Sequence, residues 1–245
     1  MLRRFIAVLA FPSCLSFAGT IYTDGTFNLA NYTTFTYSGS NVGTVGGVTT
    51  QCASCGNPGN ALSTTVTTTG DAETQLDLGY LNTTFLYNPS TQGAVTSITV
   101  SIDNVTLLLN LPGEPTVFDN FLPLIEQDGN YYYDNLTSGP YANPGDANYV
   151  TISATLTAAN FDQFNATTGV TTTSSHPNFA GDQMEFGLIV YEQFVAPVPG
   201  FNELIENDNL TFNVSAAPEP ATFALTSAAL AALGLFISRR RSPLR

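Results

Sequence analysis

Cys52 and Cys55 stand three positions apart in QCASCGNPG, and Cys14 is the only other cysteine in the 245-residue chain. A Cys-x-x-Cys pair can be a redox centre, half of a zinc site or a local disulfide. Redox use wants the first thiol at a helix N-terminus, where its pKa falls, and Gly56-Asn57-Pro58-Gly59 denies that helix. A zinc centre needs a second pair of ligands, and His176 is the only histidine. In an oxidising compartment the expected outcome is a Cys52–Cys55 disulfide. So short a ring removes little chain entropy, so it pins a loop rather than holding the fold. His176 itself sits in Ser174-Ser175-His176-Pro177, a surface loop by its neighbours. No G-x-S-x-G elbow marks a serine hydrolase, and no two of the many acids stand out as a pair for glycoside cleavage. The residues predict no catalytic group, no bound metal and no enzyme.

Tyr131-Tyr132-Tyr133, flanked by Asp128 and Asp134, is the best candidate for binding. Consecutive strand residues point to alternate faces, so Tyr131 and Tyr133 share one face while Tyr132 turns to the other. A tyrosine offers a sugar a flat apolar ring and a hydroxyl. Two readings are open: a glycan platform at Tyr131 and Tyr133, or aromatics filling the edge of a core.

Charge narrows the partners. All six basic residues lie at the two ends of the chain (Arg3 and Arg4; Arg239, Arg240, Arg241 and Arg245), and there is no lysine. Of the 19 acidic residues only Glu219 lies outside 19–217. Nucleic acid is excluded as a partner, because binding it takes Lys or Arg to displace counterions. The carboxylates must be solvated, hydrogen-bonded or bound to cations. The plain reading is a solubility coat, and the sharper one is calcium held in acidic loops.

These residues have to be carried by strands. Thr, Tyr, Phe and Val favour strands, while Asn and Gly supply turns. Val150, Ile152, Ala154, Leu156 and Ala158 alternate with Thr and Ser, the pattern of a half-buried strand. Ile98, Val100 and Ile102 alternate likewise, but Val105, Leu107 and Leu109 continue on the opposite parity, which predicts a bulge or tight turn at Asp103-Asn104. Met184–Val190 and Leu210–Val214 form two more faces. Thr20–Asn28, Tyr32–Tyr37, Leu62–Thr68 and Thr74–Tyr87 are earlier strand candidates. Asn57-Pro58-Gly59-Asn60, Asn88-Pro89-Ser90, Asp128-Gly129-Asn130 and Asn143-Pro144-Gly145-Asp146 supply turns. The fold class that follows is all-β: an antiparallel β-sandwich, jelly-roll-like, over residues 19–215.

The two ends read as addresses. Met1-Leu2-Arg3-Arg4 is a basic n-region, Phe5–Phe11 a short apolar core, and Ser16-Phe17-Ala18 a small-x-small site, so residues 1–18 read as a signal peptide cut between Ala18 and Gly19. Residues 216–245 hold the triplet Pro218, Glu219, Pro220, an apolar run Ala221–Ser238 and the cluster Arg239, Arg240, Arg241. As a helix the run would be roughly 27 Å long, close to a bilayer core, so a single C-terminal transmembrane helix is expected. The arginines would stop transfer on the cytoplasmic side. A GPI signal normally lacks the basic end, and a plain anchor leaves the Pro-Glu-Pro triplet unexplained.

This order of triplet, span and basic tail resembles the PEP-CTERM sorting signal of Gram-negative bacteria, read by an exosortase. The resemblance covers about the last 28 residues. It implies an exosortase as processing partner, passing association with the inner membrane and a destination at the cell surface or in extracellular matrix. It also implies a link to exopolysaccharide and biofilm. The stretch NPSTQGAVTSITVSID resembles a segment of secreted proteins of that class, and Asp208-Asn209-Leu210-Thr211-Phe212 resembles the last strand of lectin-like or carbohydrate-binding jelly rolls. The leading expectation is a secreted, non-enzymatic, exosortase-sorted surface or matrix protein. The alternative is a carbohydrate-binding module, and a secreted hydrolase comes third. Seven Asn-x-Ser/Thr sequons, at Asn31, Asn82, Asn104, Asn135, Asn165, Asn209 and Asn213, follow from an Asn- and Thr-rich composition.

Overall fold

The structure, a computed structural model, describes residues 19–40, 45–68, 74–110, 117–134, 148–194, 202–217 and Leu230. Ala18, Pro218, Glu219, Pro220, Arg239, Arg240 and Arg241 lie outside the described residues. So does the expected C-terminal helix, apart from Leu230. Among the described residues no helix is long and apolar enough to cross a membrane.

The described chain is built from antiparallel strands. In order these are β1 (Gly19–Asp24), β2 (Tyr32–Ser40), β3 (Val45–Gly56), β4 (Gly59–Thr68), β5 (Thr74–Tyr87), β6 (Val95–Asn110) and β7 (Val117–Gln127). They continue with β8 (Asn130–Asp134), β9 (Val150–Leu156), β10 (Phe161–Phe164), β11 (Thr171–Thr172), β12 (Met184–Phe194) and β13 (Asn202–Ala216). A one-turn helix, Pro89–Gln92, occupies the Asn88-Pro89-Ser90 turn, capped by the Asn88 side chain. The first sheet runs β3-β4-β13-β6-β9, and β1 also pairs with β13. The second runs β11-β10-β8-β7-β12-β5-β2. On β13, residues 202–207 pair with β4 and residues 210–215 with β1, so those two strands lie end to end along one flank.

The alternating apolar residues of both sheets meet between them. Ile98, Val100, Ile152, Phe212 and Val214 from the first sheet pack against Leu76, Tyr80, Phe186, Leu188 and Val190 from the second. Phe186 stacks on Phe212 across the interface at 5.2 Å and 15°, a pair worth about 0.5–1.5 kcal/mol beyond its buried area. Gly187 lets β12 lie close to β5, since a Cβ there would strike the Tyr80 carbonyl.

Two expectations are corrected. β6 pairs with β9 over residues 98–104 with no register shift, so there is no bulge at Asp103-Asn104. The parity change marks where the outer face turns apolar, with Leu107 opposite Leu204. The irregularity lies on the partner strand, between Asp208 and Thr211, where Asn209 takes a left-handed φ of 52°. The Cys52–Cys55 segment is not a free loop either. It ends strand β3, at the tip of the β3–β4 hairpin, where the pairing register shifts between Cys52 and Gly56. The disulfide itself is formed.

Candidate ligand-binding site

Tyr131-Tyr132-Tyr133 lies on β8, one strand of a two-residue hairpin. Asp128 and Gly129 at its tip both have positive φ, 55° and 77°, as a type I′ turn requires. Tyr132 enters the main core between the sheets, while Tyr131 and Tyr133 turn to the opposite face and join a second apolar cluster. That cluster fills the concave side of the second sheet with Leu81, Leu122, Leu124, Phe164 and Ile189.

The second sheet is strongly curled. β2 and β8 are four strand spacings apart in the order of the sheet, roughly 19 Å along its surface. Yet the rings of Phe35 on β2 and Tyr131 on β8 are 4.7 Å apart, and Phe35 and Phe164 on β10 are 6.0 Å apart. Two glycines permit this closure. Phe35 lies over Gly79, where a Cβ would collide with its ring, and Tyr37 lies against Gly169, whose φ is +69°. The concave face is therefore packed by the protein's own aromatics.

The two predicted tyrosines take different roles. The Tyr133 hydroxyl is tied to Thr171 Oγ1 at 2.6 Å, and its ring packs edge-on to Phe164 at 5.4 Å. Tyr131 lines an open groove of about 500 Å³ at the rim of the curl. Around it stand Asn130, Gln163, Asn165, Thr167 and Thr168, and none of the lining residues is charged. Gln163 Nε2 donates to Asn130 Oδ1 at 2.8 Å, and Asn165 Oδ1 accepts from the amides of Thr167 and Thr168 at 2.9 and 3.1 Å. These bonds fix one wall of the groove, while Asn165, Thr167 and Thr168 remain exposed. The sequence reading missed this wall because its residues look like ordinary turn formers. The Asn165-x-Thr167-Thr168-Gly169 run was the available signal.

Beneath the aromatics of the concave face lies Asp77, 1% exposed. Gln75 Nε2 donates to its Oδ2 at 2.9 Å, and its Oδ1 has no partner. Burial pushes its carboxyl up to about 7, with the Gln75 bond pulling the other way. Burial, and then the negative charge of Asp77, push the Tyr191 hydroxyl up to about 12. Asp134, at the end of β8, is also raised to about 7, first by burial and then by Asp162.

A second polar cluster closes one end of the sandwich. Asp208 accepts from the backbone amides of Asn57 and Asn209 at 2.5 and 2.7 Å. Asp103 accepts from Thr151 Oγ1 at 2.5 Å and from the Asn209 and Asn57 side-chain amides at 2.9 and 3.3 Å. Asp24 is bonded by the Thr26 and Phe27 amides, the Tyr32 hydroxyl and Asn82. These carboxylates tie the β3–β4 hairpin tip, β6, β9 and the β13 irregularity together. Among the described residues, the group with metal-ligand spacing is Cys52, Cys55 and Glu206, and its two sulfurs are joined to each other. For the calcium alternative, no group made of carboxylates alone has that spacing among the described residues.

His176 Nδ1 donates to the Phe161 carbonyl at 2.7 Å and lies 3.8 Å from Asp162. A carbonyl only accepts, so that nitrogen carries its proton. Among the sequons, Asn82 and Asn104 are buried, and Asn104 donates to Asn207.

The chain matches no protein-family model and no curated protein. Among solved structures it is similar to the family 11 carbohydrate-binding module from Clostridium thermocellum in complex with a β-1,3-1,4-mixed-linked tetrasaccharide. Identity there is 14%, with 82% of this chain and 97% of that chain covered, at a TM-score of 0.40. It is also similar to the family 11 carbohydrate-binding module of the cellulosomal cellulase Lic26A-Cel5E of Clostridium thermocellum (15% identity, 82% and 96% covered, TM-score 0.36). A third match is the solution structure of CtCBM11 (12% identity, 84% and 99% covered, TM-score 0.40).

Proposed function

We propose that this chain is an exported, non-catalytic surface protein whose sandwich binds a neutral polysaccharide in the rim groove beside Tyr131. The observation that carries this reading is the lining of that groove: the aromatic residues Tyr131 and Phe164, side-chain amides and hydroxyls, and no charge. A ring supplies an apolar platform for a sugar face, and fixed amides and hydroxyls match sugar hydroxyls. Uronic-acid polymers would meet a body rich in carboxylates and without Lys or Arg, so they are the wrong partner. The non-catalytic reading is supported by the lone histidine, whose Nδ1 is engaged by main chain rather than by a nucleophile.

Export and sorting rest on the two ends of the sequence: the 1–18 leader, and Pro218-Glu219-Pro220 ahead of an apolar run and three arginines. An exosortase is the processing partner this implies, with passing contact with the inner membrane and a cell-surface destination. The binding test is affinity electrophoresis through gels containing neutral β-glucans or mannans. Retardation is expected for the natural chain and lost in Tyr131→Ala. No retardation in any neutral polymer overturns the binding reading, and release of reducing sugar overturns the non-catalytic one. For sorting, the intact mass of surface-recovered protein should lack residues 1–18 and the C-terminal run. Arg245 still attached would leave a simple anchor instead.

A further inference from the structure

The first sheet ends, along its upper half, in two strands that bond on one side only. β1 pairs with β13 and β9 with β6, and among the described residues no other strand pairs with either. Such edges are templates for another chain, and proteins usually blunt them with lysine, proline, bulges or inward charges. Of these devices they carry one, the buried carboxylate of Asp24 at the end of β1. β9 (VTISATL) has no charge and no proline, and β1 (GTIYTD) has only the terminal Asp24, whose carboxylate is bonded within its own chain. Neither pairing has a register shift.

The edges also fit each other. From β9 through β6 and β13 to β1 every neighbour is antiparallel, so β9 and β1 run in opposite directions. A copy of the chain placed beside the first in the same orientation therefore presents its β1 antiparallel to β9. The cross-strand row Thr155–Thr99–Asn213–Ile21 would continue into it, bringing Thr155 opposite the next copy's Ile21. Side chains along a row point to one face, and the amides of neighbouring strands alternate in direction along it. In this register the outward amides of one edge meet those of the other. Ile21 is 64% exposed, and the contact would cover it.

We propose that copies of this protein associate head-to-tail through β9 of one and β1 of the next. Because the two edges are different surfaces, the contact is heterologous and leaves a free edge at each end, which makes an open chain rather than a closed dimer.

The test uses the full-length chain with Cys14→Ser, carrying both Ile21→Cys and Thr155→Cys. Mild oxidation of the double variant at 0.15 M salt should give a ladder of cross-linked dimers, trimers and longer species, read on a non-reducing gel. Either single variant should give no ladder. Ile21→Lys or Thr155→Lys, both at exposed positions, should each abolish sedimentable material while leaving the melting temperature unchanged. Absence of any Ile21–Thr155 cross-link, or a product that stops at an Ile21–Ile21 dimer, overturns the proposal.

Discussion

The outer face of the first sheet and the concave face of the second are built from the same strand alternation and end in opposite states. On the first, β9, β6 and β13 present Thr, Ser and Asn outward, and Thr151, Ser153, Thr155 and Asn213 are exposed. On the second, the outward positions of β2, β8 and β10 are Phe35, Tyr37, Tyr131, Tyr133 and Phe164, which close over the sheet and build a second core. Residue type explains the difference only in part. The aromatics could have stood as an open platform on a flatter sheet. Curvature brings two strands near opposite edges into ring contact, and Gly79 and Gly169 remove the side chains that would have held them apart. A face becomes core when its sheet curls far enough for its side chains to reach across.

The largest effect should come from breaking the closed face. Phe164 is buried and touches rings from β2 and β8, so Phe164→Ala should cost about 3–5 kcal/mol, read as a drop in urea midpoint at constant slope. A loss below 1 kcal/mol would mean that the concave aromatics do not pack as a core.

The same face should show itself in the pH dependence. Asp77 ionises at about 7 in the folded protein but near the ordinary aspartate value of about 3.9 once unfolded. Between those values the folded state holds a proton that the unfolded state has lost, so stability falls as pH rises from about 4 to 7 and levels off above. The slope should be on the order of 1.4 kcal/mol per pH unit for a single such group, and Asp134 adds to it in the same window. Urea melts at pH 5 and pH 8 should show the natural chain more stable at pH 5. Asp77→Asn should narrow that gap and raise stability at pH 8. An unchanged gap would remove Asp77 as its source. Like-charge repulsion alone, expected from the acidic composition, predicts the same sign, but the leading cause at Asp77 and Asp134 is burial.

Reducing Cys52–Cys55 should matter less. The bond closes a ring of four residues at a hairpin tip, for which the chain-entropy estimate is at most about 2 kcal/mol. Melting with and without reductant measures it, and thiol labelling of the denatured, unreduced protein should find neither sulfur reactive. Unfolding on reduction would show that the hairpin tip organises the polar end of the sandwich. The smallest effect belongs to the hydroxyl face. The Thr99 hydroxyl bonds Thr155 across the strands at 2.9 Å in an exposed position, so Thr99→Ala should stay within about 0.5 kcal/mol of the natural chain. A larger loss would mean that the two faces are not the opposites described above.

The sequence alone determined the strands whose two faces differ in polarity. The Thr74–Tyr87 strand was legible to the residue; the alternation from Val150 to Ala158 marked a strand that ends at Leu156, with Ala158 opening a 3-10 turn, and the Asp128-Gly129-Asn130 turn followed from turn chemistry. The split of Tyr131 and Tyr133 from Tyr132 was legible for the same reason, since period two is a local property of an extended backbone. The β3 and β7 strands were missed. Val45–Gly56 holds three glycines and few large apolar residues, and Val117–Gln127 is apolar on both parities, so neither alternates. Only the tertiary structure decided that Tyr131 faces a groove while Tyr133 is locked against Thr171 and Phe164, because that depends on how far a seven-stranded sheet curls. It also decided that the irregularity opposite β6 belongs to β13, and that Asp77 is sealed under aromatics from β2 and β8. Curl, register and burial are set by contacts between residues more than a hundred positions apart, such as Asn57 with Asp208, and no local pattern encodes them.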